Sequence, residues 1–415
     1  MIKGRENMRR LTIVTDTYSP MKDGVLTYLR SIIPLLKEHY DITIIAPKLP
    51  NRQEGLFDGV ETVLTPNIPI ELASYRPALP SLGLARAIRK TDVVMVNDLA
   101  PLGATAVRLA HYLKKPLLLF CHHDEKTLLV EAFKLRSRTL IPSTRLSNLV
   151  DRIVARHYDR ADVVLVATQR FHEKLKRLKV PKEKIIFAPF AVDWKMFSPG
   201  NGKITRREYG MPDDAKVILY LGRMSHEKNV ETIIRAMPRV LSENEDAWFV
   251  FAGGGPRVRN YNALAEKLGN ERVTFIGEVE WEDVPQLLSM ADIFVHPSLH
   301  EAQSFTVMEA MATALTVIVP AETGTSHTYL EENANCLFLR NPMDVEELVG
   351  KINFLIKDET VRRTLGKAAR ERVTAYSWEN HLEKLLSGIE LAISGVTRRG
   401  IHKSRRAKAR KYAVA

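Results

Sequence analysis

The feature that most constrains this chain is an alternation that runs almost its whole length and restarts once. Short apolar, β-rich runs are separated by stretches of helical periodicity. The first series of runs is "RLTIVTD" (10–16), "YDITIIAP" (40–47), "DVVMVND" (92–98), "PLLLFCHH" (116–123), "ADVVLVAT" (161–168) and "KIIFAPF" (184–190). Helical patterns such as "GVLTYLRSIIPLLKEH" (24–39) and "PLGATAVRLAHYLKK" (101–115) lie between them. This reads as buried parallel strands in a doubly wound α/β sheet.

The pattern then starts again with "AKVILYLGR" (215–223), "AWFVFAGGGP" (247–256), "RVTFIGEV" (272–279), "ADIFVHPS" (291–298), "TVIVP" (316–320) and "NCLFL" (335–339). Between the series, residues 191–214 carry Pro199, Gly200, Gly202 and Pro212, which suit a linker. A chain of 415 residues is too long for one ordinary core. Two Rossmann-like halves are expected, 1–198 and 199–375, followed by a helix over 376–395 and a basic tail over 396–415. Ligands of open α/β sheets bind beyond the carboxyl ends of the strands, so two halves facing one another would enclose a cleft.

Composition excludes some classes. No run approaches the ~18–20 apolar residues of a membrane span. The apolar stretch after the basic start "MIKGRENMRR" is too short and too quickly polar for a signal peptide. The two cysteines, Cys121 and Cys336, cannot form a disulfide framework and suit a reducing, cytoplasmic setting. Net charge is +12, yet residues 394–415 alone hold eight Lys or Arg and no acid. Such a tail can meet anionic lipid, nucleic acid or only solvent, and composition leaves the three open. The body lacks a zinc-ligand set and an RNA-recognition motif, so nucleic acid is not the expected partner.

Two segments of the second series carry chemistry. In "LGRMSHEKNVETII" (221–234), Arg223 and Lys228 stand in the loop between a strand and a helix. Two permanent cations there suit a diphosphate, or are simply solvated. In "EAQSFTVMEAMA" (301–312), a helix is expected to open around Ser304, and its first amides form an anion site. Glu301 precedes that site, where a carboxylate suits neutral hydroxyls better than phosphate. Glu309 falls one turn from Phe305 on the same face and could take both hydroxyls of a ribose. Spacing alone also fits a surface acid at 309 and a dipole-favouring acid at 301.

These segments, with "AGGGP", "ADIFVHPS" and "FAVDWKMFSP", resemble in order and separation those of retaining GT-B glycosyltransferases of glycosyltransferase family 4. The E-x7-E motif of that family falls on Glu301 and Glu309. The resemblance implies that Glu301 contacts the donor sugar, Glu309 the ribose, and Arg223 and Lys228 the diphosphate. Backbone amides of Gln303, Ser304, Phe305 and Thr306 would cradle sugar and phosphate. Many members have Phe-Gly where this chain has Gln303-Ser304. The "EAQ" variant is similar to some glycolipid-forming members.

The first series adds "TDTYSPMKDGVLTYLRSI" (15–32), which resembles the family's "T-D-T-x-x-P-x-x-N-G-V" loop with Asp23 in place of Asn. By itself Gly24 is a helix-capping glycine or a point of close backbone approach to a ligand. The resemblance implies that Gly24 meets the donor diphosphate and that Asp16 and Tyr18 lie toward the acceptor. This loop form is shared with diacylglycerol glucosyltransferases, sulfoquinovosyltransferases and phosphatidylinositol mannosyltransferases. "LFCHHDEKT" (119–127) is similar to their "Y-H-T-D" turn. His122 aligns with a His that contacts the transferred sugar, and Asp124 with the family acid. Neighbouring residues of a strand point to opposite faces, so His122, His123, Asp124 and Glu125 do not read as metal ligands, and no metal or other cofactor is expected. The basic, apolar-studded stretch 126–145 suits docking on an anionic membrane surface, or the solvated face of a packed helix. The whole resemblance implies metal-independent, retaining transfer of a hexose from a UDP-sugar, or from GDP-mannose. No convincing carboxylate nucleophile presents itself, which favours front-face attack. It also implies a C-terminal helix crossing back to the first half. The expected acceptor is a membrane lipid, with a soluble acceptor as the alternative. The expected location is cytoplasmic, peripheral at the inner face of the membrane.

Overall fold

The computed structural model describes residues 8–19, 21, 23–50, 56–67, 78–122, 143–269 and 272–412, without the side chains of residues 121, 143–147 and 396–412. The chain forms two units, Met1–Pro189 with Glu379–Ala415, and Phe190–Trp378.

Among its described residues the first unit has seven strands: β1 (Arg10–Val14), β2 (Asp41–Pro47), β3 (Glu61–Thr65), β4 (Val93–Val96), β5 (Leu117–Cys121), β6 (Val163–Val166) and β7 (Ile185–Phe187). They are parallel, in the order β3-β2-β1-β4-β5-β6-β7. Leu11 pairs with Ile42 on one side and Val93 on the other, so the first strand sits between the second and the fourth. Six of these strands stand where the apolar runs place them. β3 escapes that reading because it is an edge strand, only partly buried, with Glu61, Thr62 and Thr65 breaking its apolar run. The helix Gly24–Leu36 starts where expected, with Asp23 as its cap accepting from Leu26 N at 3.0 Å. It buries Val25, Tyr28, Leu29, Ile32, Ile33 and Leu36, an apolar face of helical period.

The second unit holds β8 (Lys216–Leu221), β9 (Ala247–Ala252), β10 (Val273–Gly277), β11 (Ile293–Val295), β12 (Thr316–Pro320) and β13 (Leu337–Leu339), in the order β10-β9-β8-β11-β12-β13. All are parallel and match the second series of runs. Here too the first strand separates the second from the fourth, so β8 and β11 are neighbours at the point where strand order reverses. The Pro/Gly-rich segment 191–214 is folded into this unit. Its helix Lys203–Glu208 is fixed by Arg206, which donates to Met290 O at 2.8 Å and to Asp292 at 3.0 Å.

The last helix, Trp378–Tyr412, leaves the second unit at its first residue and joins the first, as expected. His381 Nδ1 donates to Pro189 O at 2.9 Å, and Arg9 pairs with Glu390 at 2.6 Å. Among the described residues no helix is long and apolar enough to cross a membrane.

Candidate active site

In the second unit the loops after β8 and β11 are stitched together. Leu299 N donates to Glu227 O at 2.8 Å and Ser298 Oγ to the same carbonyl at 3.1 Å. Asn229, in the left-handed region at φ 54°, sends its side-chain amide to Pro297 O at 3.2 Å. The loop after β9 presses against the same place. A Cβ at Gly253, whose φ is +128°, would lie 2.0 Å from Gly222 O, so the "GGG" run permits this approach of two strand ends.

Within this frame Arg223 and Lys228 differ. Arg223 is exposed and pairs with Glu227 at 3.1 Å, while Ser225 Oγ holds the same Glu227 oxygen at 2.6 Å. Lys228 is mostly covered and forms an ion pair with Glu301 Oε2. His296, at the end of β11, meets that oxygen through Nε2 at 3.1 Å. Burial alone would raise the Glu301 carboxyl. The Lys228 charge and the His296 hydrogen bond outweigh it and hold Glu301 well below the usual carboxylate range. Glu301 is thus a fixed anion and more than a helix-dipole decoration.

Glu309 is not a surface acid. It is 5% exposed, on the inner face of the helix Phe305–Ala312. Burial pushes its carboxyl up to about 7, opposed only in part by the indole of Trp281, whose buried Nε1–H makes no full hydrogen bond. Partners that donate to this carboxyl would favour its ionised form.

The turn between the acids is more committed than the sequence suggests. Ser304 caps the helix, accepting from Val307 N at 3.3 Å, and its own N–H donates to Thr325 Oγ1 at 2.8 Å. Its backbone amide is therefore already engaged, whereas the amides of Phe305 and Thr306 precede the first intrahelical bond. Phe305 is buried against Phe190, with ring centroids 4.9 Å apart. The Gln303 side chain is buried, with Nε2 donating to Tyr329 Oη, which in turn donates to Phe190 O at 3.1 Å.

In the first unit the ends of β1, β4 and β5 are neighbours in the sheet. Gly24 is the first residue of its helix, directly behind the Asp23 cap. His122 is buried, its Nε2 lies 3.3 Å from Asn97 Oδ1, and its ring packs on Phe120 and Tyr28. Asp16 accepts from Gly103 N at 2.9 Å, and its own N–H donates to Asp98 at 2.9 Å. Burial, with Asp16 beside it, pushes the Asp98 carboxyl up. Tyr18 Oη lies 3.4 Å from Thr62 Oγ1. His123, Asp124 and the stretch 126–142 lie outside the described residues, as do the side chains of 143–145 and 398–411. Among the described residues no three of His, Cys, Asp and Glu converge as metal ligands would.

Sequence reasoning passed over His296, Trp281 and Asn97. His296 left a trace, a lone imidazole closing the strand in "ADIFVHPS" five residues before Glu301. Trp281 and Asn97 reach their neighbours only through tertiary packing.

Two parallel sheets, each with its first strand at the reversal of strand order, and a final helix returning to the first unit define a GT-B protein. The family models agree. Residues 22–194 match Glycosyltransferase Family 4 and residues 202–372 match Glycosyl transferases group 1. The chain belongs to this family of glycosyltransferases. It is 25% identical over 321 residues to the alpha-monoglucosyldiacylglycerol synthase of Streptococcus pneumoniae, covering 74% of this chain and 70% of the relative. It is 26% identical over 399 residues to a GDP-mannose-dependent alpha-mannosyltransferase of Mycolicibacterium smegmatis, covering 92% and 98%. Other matches are partial, spanning 48% and 61% of two further relatives. Anabaena HepE, solved in complex with UDP, shares the fold at a TM-score of 0.72 and 16% identity, over 92% of this chain and all of that one.

Proposed function

We propose that this chain is a retaining hexosyltransferase. It moves a hexose from a nucleotide-diphosphate sugar, UDP-linked in the first place, to a hydroxyl of a membrane lipid such as a diacylglycerol. The observation that carries this reading is the pair of buried acids flanking a helix start, one fixed as an anion by Lys228 and His296, the other poised near neutrality. Glu301 orients the transferred sugar and Glu309 takes the ribose hydroxyls. Arg223, Lys228 and the amides of Phe305 and Thr306 carry the charge of the departing diphosphate, which a divalent ion would otherwise carry. Gly24 is assigned to the donor diphosphate, and His122 serves the transferred sugar and the acceptor.

The acceptor oxygen bonds to the anomeric carbon on the face from which the diphosphate leaves. The acceptor's proton passes to the departing phosphate oxygen. The lipid acceptor is supported by the name of the diacylglycerol-directed relative, and GDP-mannose as second donor by the name of the mannosyltransferase. Contact with anionic lipid falls to residues 126–145 and 398–411, at the membrane surface.

A panel of UDP-glucose, UDP-galactose and GDP-mannose tests the reading by thermal unfolding. A donor at 100-fold its Kd adds about 2.7 kcal/mol. Transfer to diacylglycerol vesicles, with the product anomer read by NMR, tests acceptor and stereochemistry. No shift with any of these sugars overturns it.

A further inference from the structure

We infer that His296 is a positioning residue for Glu301, and that it holds this carboxylate in place when Lys228 turns to the donor's diphosphate. The inference rests on the proposed nucleotide-sugar site and concerns how that site changes partners on binding. Glu301 Oε2 has two donors among the described residues, Lys228 Nζ and His296 Nε2. Lys228 is also one of the two cations assigned to the diphosphate. A donor that engages Lys228 therefore competes for the ion-pair partner of Glu301. Without a second donor, a largely covered carboxylate would lose its only compensation and swing or take a proton.

His296 is built not to move. It is 3% exposed, and its ring lies nearly parallel to Tyr220, at 8° and 6.1 Å, and to Phe294, at 9° and 6.2 Å. Because a carboxylate accepts, the Nε2 proton is fixed on the side of Glu301. Nδ1 is then left as a buried acceptor without a partner among the described residues. No second polar contact from those residues pulls the ring away. The cation can leave for phosphate while the neutral donor stays, and Glu301 remains aimed at the sugar hydroxyls. His296 follows a strand of three buried apolar residues, a position where packing alone calls for another apolar side chain.

The test separates sugar from nucleotide. Titration calorimetry of full-length protein measures UDP and UDP-glucose, and GDP and GDP-mannose, for wild type, His296→Phe and His296→Gln. His296→Phe keeps the ring stack and removes the donor. The expected result is an unchanged nucleoside diphosphate Kd, at least tenfold weaker binding of the matching nucleotide sugar, and a raised KM. His296→Gln, which keeps an N–H donor, is expected to restore most of that affinity. If His296→Phe does not fold, His296→Met replaces it in the same comparison with His296→Gln. A donor-free variant that binds the nucleotide sugar like wild type overturns the inference, as does equal loss of sugar and diphosphate binding. Wild type that binds neither diphosphate nor nucleotide sugar instead overturns the site on which the inference rests.

Discussion

Lys228 and Glu301 stand 73 positions apart and meet as an ion pair between loops that follow neighbouring strands. In the proposed site one belongs to the diphosphate and the other to the sugar, so their pairing in the free protein fills the site with its own charges. Lys228→Met should lower nucleoside diphosphate affinity by tenfold or more. It should also destabilise the fold by about 2 kcal/mol, because it leaves a covered carboxylate with the neutral His296 donor and no counter-charge. Adding Glu301→Gln should restore part of the stability and none of the affinity. A double-mutant cycle in urea, run beside calorimetry, checks both.

Glu309 predicts a pH dependence. Its folded pKa, about 7, lies above the ordinary 4.5. Its stabilising share is therefore full below about 4.5 and is lost as pH rises through 7. Glu309→Gln should be more stable than wild type above that point. Ligand binding should run the other way, since ribose hydroxyls donate to the ionised form. Nucleotide-sugar affinity should rise with pH and level off above about 7, and Glu309→Gln should weaken binding and flatten the profile. UDP-glucose is the suitable probe because its diphosphate diester does not titrate in that range.

The Ser304 side chain caps its helix by accepting from Val307 N. Ser304→Ala should cost about 1 kcal/mol in thermal or urea unfolding, and Ser304→Gly only a few tenths. Glycine is the residue that many members of the family carry there, so Ser304→Gly should leave transfer nearly intact.

His122 should separate chemistry from binding. His122→Phe keeps the packing on Phe120 and Tyr28 and removes the nitrogen near Asn97. The expected outcome is a fall in kcat of about 100-fold or more, with the donor's thermal shift preserved. Equal loss of donor binding would instead give His122 a share in holding the donor and none specific to the transfer step.

Much of this was legible in the sequence because buried parallel strands announce themselves as apolar runs. Among the described residues, twelve of the thirteen strands fall where those runs lie, and the exception, β3, is a partly buried edge. The helix start around Ser304 was legible, and Glu301 and Glu309 stood out through the family motif they match, since their spacing alone also fitted ordinary acids. What could not be read was partnership. Nothing local says that Glu301 faces Lys228 and His296, that Thr325 occupies the Ser304 amide, or that Gln303 turns inward to Tyr329. These contacts form between loops brought together by strand order, and strand order is set by the whole sheet.

The return of the final helix has a consequence for how the polypeptide is assembled. The second unit is one continuous segment, Phe190–Trp378, whereas the first is interrupted by it and completed only by residues from Glu379 onward. A translating ribosome therefore delivers every residue of the second unit before the first can receive His381 beneath Pro189 or Glu390 beside Arg9. The later unit can mature first. Truncation at Pro189 would yield an incomplete body, whereas excision of Phe190–Trp378 would not. A permuted chain that joined Glu379–Ser394 ahead of the first strand would reverse that order of birth.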